Sequence, residues 1–292
     1  MSPSPSIPSS LSRRTVLRGG AAALFAGLVG TTAACGSSGS AAPAAEAGGS
    51  AIKTVKDGVL SVATMSGAKP NCWIEGGEFK GFDLDLVRAI ADKLGMKVEF
   101  AAIDFPALFP SVAQGRYDMA AASTAGTVAR RKIVDFSAGY LGGYLGVLTT
   151  KTSGITEDNA STNGKRLGLL QGSIQEQYAK KFLGGATLVM FPDNNAGVSA
   201  LETGRVDGYF LDYVVGTDYI DQKPDLVQPI AIPAFDQPAA FPIKKGNTAL
   251  EEAVNAKLDE VVKDGTWMKL YTQYFAKAPK PEDLPPYALP SA

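Results

Sequence analysis

The stretch ASTAGTVARRKIVDFSAGY, from Ala122 to Tyr140, runs small residues into a basic cluster, Arg130, Arg131 and Lys132. Small side chains let another molecule come close to the backbone, and a guanidinium at the end of such a run offers a rigid fork of donors to hold it. The plainer alternative is a solvated charge cluster at a helix start, the common fate of arginines on a surface. Other chemistry is narrowed by composition. The chain has no histidine, which removes the commonest acid–base side chain and the commonest transition-metal ligand. Its two cysteines, Cys35 and Cys72, stand in different settings, are not expected to pair, and are too few for a zinc cluster. No metal, cofactor or catalytic group is expected. A net charge of −1 argues against nucleic acid as a partner.

The elements that must position these residues follow from periodicity. VLSVAT (Val59 to Thr64) reads as a strand, and GFDLDLVRAIADKLG as a helix with Leu86, Ile90 and Leu94 on its stripe. Asp83 and Asp85 fall near its start, where negative charge is favoured, and Gly95 at its stop. KVEFAA is the next strand, a short helix passes through Leu108 and Val112, and YDMAAAS is a third strand. RLGLL then leads into SIQEQYAKKFLG, with Ile174, Tyr178 and Phe182 on one face. TLVMF, a helix through Val198 and Leu201, and VDGYFLD complete the repeat. Such alternation implies parallel sheets with helices on both faces. SVAQGRYD (Ser111 to Asp118) echoes SALETGRVD (Ser199 to Asp207), as two related lobes would. Near the end, Leu250, Val254, Leu258 and Val261 stripe a longer helix, and TWMKLYTQYF forms a second.

The N-terminus reads as an address. Residues 1–34 carry a twin-arginine pair, Arg13 and Arg14, followed by an apolar stretch from Ala21 to Gly30 that is short for a bilayer span. TAAC ends in Cys35, the expected lipidation site, and residues 35–52 form a Gly/Ala/Ser tether. A soluble body held at the outer face of the cytoplasmic membrane is expected.

Three stretches carry a specific likeness. GFDLDLVRAIADKL, ALFPSVAQGRYDMAAASTAGTVARRKIVDFSAGY and KKGNTALEEAVNAKLDEVVKDGTWMKLYTQYF resemble the bacterial extracellular solute-binding proteins of family 3, the polar amino-acid receptors of ABC importers. The likeness runs from about Val59 to Phe275. It implies the two-lobed, type II periplasmic-binding-protein α/β fold, with two hinge strands and a ligand cleft between the lobes. Lobe 1 would be 53–147 with 240–292, lobe 2 would be 148–239, and the hinges would lie near Val147 to Thr150 and Pro233 to Ala240. A monomer that docks on membrane permease subunits is implied.

Carried across, the family's carboxylate-binding arginine falls on Arg130, whose fork suits a carboxylate. Backbone N–H groups near Ala125 and the Ser123 hydroxyl would reach the same ligand end, with Thr127 capping the next turn. The ammonium-binding aspartate falls on Asp212, at a strand's carboxyl end, where open α/β sheets bind ligands; a helix cap is the alternative. The loop Gly172–Ser173–Ile174 offers further N–H groups, and Phe105 an apolar wall or plain core. Departures cluster at the selectivity end. Met65 stands where many relatives have an acid and Ala68 where they have an aromatic residue, leaving Trp73 to supply an aromatic face. Met65, Ala68, Phe105 and Ile174 together imply a less polar or bulkier side chain than glutamine or lysine. The competing readings are a cyclohexadienyl-dehydratase-like enzyme on the same scaffold, with Glu75, Asp104 or another carboxylate as its acid, and a ligand-sensing binding protein.

Overall fold

The computed structural model describes residues 52–275, except Phe235. The expected signal, Cys35, all of the tether but Ile52, and residues 276–292 of the expected first lobe lie outside the described residues.

The first part of the chain forms β1 (Val59–Thr64), β2 (Gly67–Ala68), β3 (Cys72–Glu75), β4 (Glu78–Lys80), α1 (Phe82–Leu94), β5 (Lys97–Ala102), α2 (Phe105–Ala113), β6 (Met119–Ala120) and β7 (Val134–Phe136). The middle forms β8 (Tyr144–Thr150), β9 (Arg166–Leu170), α3 (Ile174–Phe182), β10 (Thr187–Phe191), α4 (Asn194–Glu202), β11 (Gly208–Asp212), α5 (Tyr213–Gln222) and β12 (Leu226–Pro233). β13 (Pro242–Lys244), α6 (Thr248–Lys263) and α7 (Thr266–Tyr274) return to the first part. Two five-stranded sheets result, ordered β5-β1-β6-β13-β7 and β10-β9-β11-β8-β12, with a small β2-β3-β4 sheet beside the first.

Neither large sheet is purely parallel. β1 runs parallel to β5 and β6, and β9 parallel to β10 and β11, as strand–helix alternation dictates. β13 is antiparallel to β6 and β7, and β8 is antiparallel to both β11 and β12. These strands enter their sheet directly from the other one, without the helical crossover that a parallel neighbour needs. The chain passes between the sheets twice, and the passages lie side by side: Tyr140 N–H donates to Ala239 O at 2.8 Å, and Ala234 N–H to Gly143 O at 2.9 Å. Val147 to Thr150 therefore lies inside a strand of the second sheet, and the first passage precedes Tyr144. The second passage falls within Pro233 to Ala240.

Helix α1 follows its stripe, with Leu86 and Ile90 fully buried and Gly95 closing it in a left-handed conformation. α3 departs from expectation. Gln175 and Ala179 are its buried residues, while Phe182 is 55% exposed. A spacing of four residues advances by about 40° per step on an α-helix, so a stripe of two such steps, from Ile174 to Phe182, turns away from the core by its end.

The two lobes repeat one joint in detail. Asp118 N–H donates to Ser61 O at 2.9 Å and the Asp118 carboxylate takes Ser61 N–H at 2.8 Å. Asp207 N–H donates to Arg166 O at 2.8 Å and its carboxylate takes Arg166 N–H at 2.8 Å. Each aspartate sits between the second helix of its lobe and the strand that follows, and ties that strand's start to the first strand of the lobe's repeat, β1 or β9, which is the physical content of the sequence echo.

Gly81 anchors the small sheet to α1. Its φ is 134°, and a Cβ there would sit 2.2 Å from the Asn71 carbonyl oxygen. Gly81→Ala is expected to destabilise the fold by about 2–4 kcal/mol, combining backbone strain with an overlap that neither rigid segment relieves. Urea unfolding measures it, and a loss below the experimental error would contradict this packing.

Candidate functional site

All eight residues expected at the ligand site, Met65, Phe105, Ser123, Ala125, Arg130, Ser173, Ile174 and Asp212, line one cavity between the two sheets. The first five come from the β1-side sheet and its loops, the last three from the second. Its volume is about 40 Å³.

Arg130 sits in a short 3-10 turn, where Thr127 Oγ1 accepts the Arg130 N–H at 3.3 Å, as expected of a cap. Its side chain is buried, 6% exposed. One terminal nitrogen donates to Ala125 O at 2.8 Å and the other to Gly172 O at 2.9 Å, so the guanidinium joins the two lobes. The guanidinium carbon lies 4.4 Å from the Phe109 ring centroid and 5.6 Å from that of Phe105. Phe105 is thus both wall and cation–π support. Burial lowers the Arg130 pKa to about 10, against a smaller raising effect of Asp212. The group stays charged at neutral pH. Arg131 and Lys132 do not line the cavity.

Asp212 closes β11 and precedes α5 at the capping position, yet its side chain makes no capping bond. It accepts a hydrogen bond from Gln175 Nε2 at 2.7 Å instead. Burial raises its pKa to about 6, opposed by the Gln175 bond and by the Arg130 charge. No ion pair joins Arg130 to Asp212 among the described residues. Two opposite charges face one cavity, each short of a full partner.

Ser123 corrects an expectation. It takes a left-handed backbone conformation, φ 47°, and both of its donors go to Asp83: the N–H at 2.5 Å and the hydroxyl at 2.9 Å. They are therefore not the donors expected to reach a ligand. The loop before α3 is likewise partly committed. Gly172 N–H donates to Glu176 at 2.6 Å, Ser173 N–H to Leu170 O at 3.2 Å, and Ser173 Oγ caps Glu176 N–H at 3.1 Å. Ile174 lines the cavity.

Asp83 stands in the first turn of α1, as expected, but the sequence reading did not foresee its burial. It is fully buried, and burial raises its pKa to about 7 against the lowering effect of the Ser123 bonds. The signal was present: Asp83 lies three, four and seven residues before Leu86, Val87 and Ile90, on the apolar stripe itself. Asn71, Gln175 and Asn194 also line the cavity and were missed, because loop and helix-start amides carry no periodic signal. Cys72 lies buried in β3, its thiol pushed up to about 12 by burial and by Asp83. Trp73 lines a second, adjoining cavity rather than this one.

Further contacts hold the lobes together. Phe105 N–H donates to Pro192 O at 3.2 Å, Asn194 Nδ2 to Gly67 O at 3.0 Å, and Lys69 lies 2.9 Å from Asp218.

Comparison with known proteins follows the same span. Residues 60–277 match the bacterial extracellular solute-binding proteins, family 3. The ABC transporter glutamine-binding protein GlnH of Bacillus subtilis is 28% identical over 257 residues, covering 85% of this chain and 93% of GlnH. The lysine/arginine/ornithine-binding periplasmic protein of Escherichia coli is 29% identical, covering 68% of this chain and 80% of its own length. Among solved structures, an ancestral arginine-binding protein bound to arginine superposes with a TM-score of 0.71 at 33% identity, covering 75% of this chain and 98% of the other. The ancestral amino acid-binding protein AncCDT-1, a precursor of cyclohexadienyl dehydratase, superposes with a TM-score of 0.67 at 30% identity, covering 75% of this chain and 95% of the other. Since the match spans both sheets and the cleft between them, the chain belongs to the bacterial extracellular solute-binding proteins, family 3.

Proposed function

We propose that this chain is the extracytoplasmic receptor of an amino-acid ABC importer and closes on an α-amino-acid zwitterion. One observation carries the reading: Arg130 and Asp212 reach a single cavity from opposite lobes and do not pair with each other. A ligand carboxylate takes the guanidinium donors that the two carbonyls leave, and a ligand ammonium takes the Asp212 carboxylate. Each lobe alone holds half of these contacts, so the ligand favours the closed form by differential contact. The two passages, 138–143 and 234–240, serve as the hinge. The names of the relatives, glutamine-, histidine- and lysine/arginine/ornithine-binding proteins, support the amino-acid class.

The expected leader, with lipid on Cys35 and the tether behind it, would hold this body outside the membrane. No helix among the described residues is long and apolar enough to cross one. Delivery to permease subunits as a monomer completes the reading. For the dehydratase alternative, AncCDT-1 is itself named an amino acid-binding protein, and the two acids named for that reading, Glu75 and Asp104, do not line the cavity. Glu75 is exposed and paired with Lys80 at 2.9 Å, and Asp104 is exposed ahead of α2.

Arg130→Ala is expected to weaken amino-acid binding by about 2–5 kcal/mol, the loss typical when one partner of a buried charge pair is removed. Titration calorimetry with the twenty amino acids reads it. Binding unchanged by the substitution would end the assignment.

Protonation supplies a second test. Asp83 and Asp212 both titrate higher folded than unfolded, at about 7 and about 6. Between its unfolded and folded values each makes the folded chain hold the extra proton. Each carboxylate thus costs stability in full above its folded value, and the cost is relieved as pH falls through about 7 and about 6. Without ligand, the stability gain of Asp83→Asn or Asp212→Asn over the native chain should widen from pH 5 to pH 8. Amino-acid affinity of the native chain should move oppositely, falling below pH 6 as Asp212 takes a proton. A pH-independent gap in thermal unfolding would contradict the burial assigned to these carboxyls.

A further inference from the structure

The cavity shared by Arg130 and Asp212 is small. A water-sized group needs roughly 10–15 Å³ of such space, so about 40 Å³ holds few of them. The backbone part of an amino acid alone has more atoms than that. Adjoining it is a chamber of about 510 Å³, within the range of small-molecule sites. Asn71, Ser123, Ala125, Ile174 and Asp212 line both, so the two spaces meet at the Asp212 carboxylate.

Asn71 marks the junction chemically. It is 2% exposed, and its Oδ1 is buried with no hydrogen-bond partner. A buried acceptor left unmade is costly, and the native sites that keep one commonly meet a ligand or water there. The Trp73 indole N–H, on the chamber wall, is likewise buried without an acceptor. The chamber walls include Trp73, Tyr213 and Tyr274, with Trp73 edge-on to Tyr274 at 6.0 Å. Its cation position is already taken: Lys69 lies 5.7 Å over the Trp73 ring and pairs with Asp218 at 2.9 Å. A flat, mainly apolar group fits these walls better than a second cation.

Resting on the receptor reading above, we propose that the ligand passes Asn71 and Asp212 and seats a bulky aromatic side chain in this hinge-side chamber. Asn71 Oδ1 shares the ligand ammonium with Asp212. The chamber, rather than the small cavity at Met65 and Ala68, then selects the side chain.

Calorimetry with L-alanine, L-phenylalanine and L-arginine on the full chain tests this. L-phenylalanine is expected to bind at least tenfold more tightly than L-alanine and than L-arginine. Thr217→Trp, which fills the chamber from α5, should remove that preference and leave L-alanine binding within about twofold. Trp73 provides an independent readout, since Trp267 is the other tryptophan of the chain. In a Trp267→Phe background, L-phenylalanine should shift the Trp73 emission and L-alanine should not. Equal affinity for L-alanine and L-phenylalanine, tighter L-arginine binding, or loss of both probes in Thr217→Trp overturns the chamber while the receptor reading stands. Failure of all three while another of the twenty amino acids binds overturns the chamber alone, and failure of all twenty overturns the receptor reading and the chamber with it.

Discussion

A guanidinium taken out of water must be held by something, and in this protein the holder is not a carboxylate. Arg130 is buried against the Phe109 ring and gives its two terminal nitrogens to the carbonyl oxygens of Ala125 and Gly172. Carbonyl dipoles orient the fork and compensate part of its lost hydration, but they do not cancel its charge. The site therefore keeps a net positive end in a low-dielectric cleft, where attraction to an anion is stronger than in water. Gly172 belongs to the opposite lobe from Arg130, so the interaction that holds the guanidinium also joins the lobes. Binding chemistry and lobe geometry rest on one side chain.

The opposite end of the site is built on a carboxylate that is deliberately left short of partners. Asp212 gives one oxygen to Gln175 and makes no helix-capping bond. Behind it, Asp83 is a third charge in the same region, and the Asp212 charge adds to the rise in the Asp83 pKa that burial causes. Asp83 is tolerated because Ser123, turned into a left-handed conformation, gives it two hydrogen bonds. That arrangement fixes the loop that carries Ala125, and hence one of the two carbonyls on which Arg130 rests. The loop of small residues is thus shaped from below by a buried acid and read from above by an arginine.

Much of this was legible. The strands and helices followed from periodicity, and Arg130 and Asp212 came from motifs whose spacing survives in the chain. The repeated aspartate joint at Asp118 and Asp207 was visible as an echo, though only coordinates reveal that both carboxylates tie neighbouring strands. What the sequence hid has identifiable causes. Strand direction for β8 and β13 depends on which sheet the chain has just left, a tertiary fact. Asp83 was masked by a rule about helix starts that competes with its place on the apolar stripe. Ser123 was given the right position and the wrong partner, because a positive φ cannot be read from a serine. Asn71 and Trp73 lie in a segment of glycines, a proline and short strands, where no period constrains which way a side chain faces.

The contacts that close the cleft are few and mostly replaceable by water. Apart from the Arg130 bond to Gly172, they are a backbone bond from Phe105 to Pro192, an amide bond from Asn194 to Gly67, and the Lys69–Asp218 pair. A neutral hydrogen bond contributes about 1 kcal/mol net when exchanged with water, and an exposed ion pair about 0–1 kcal/mol. Lys69 is 43% exposed in its side chain, so its pair belongs to the weak class. Summed, these polar contacts contribute a few kcal/mol at most, beside an apolar cluster that runs through both lobes. A stronger latch would close the lobes whether or not a ligand had arrived, and the closed form would then carry no information to a partner. On the proposed reading, weak polar contacts between the lobes leave the charges at Arg130 and Asp212 to bias the conformation.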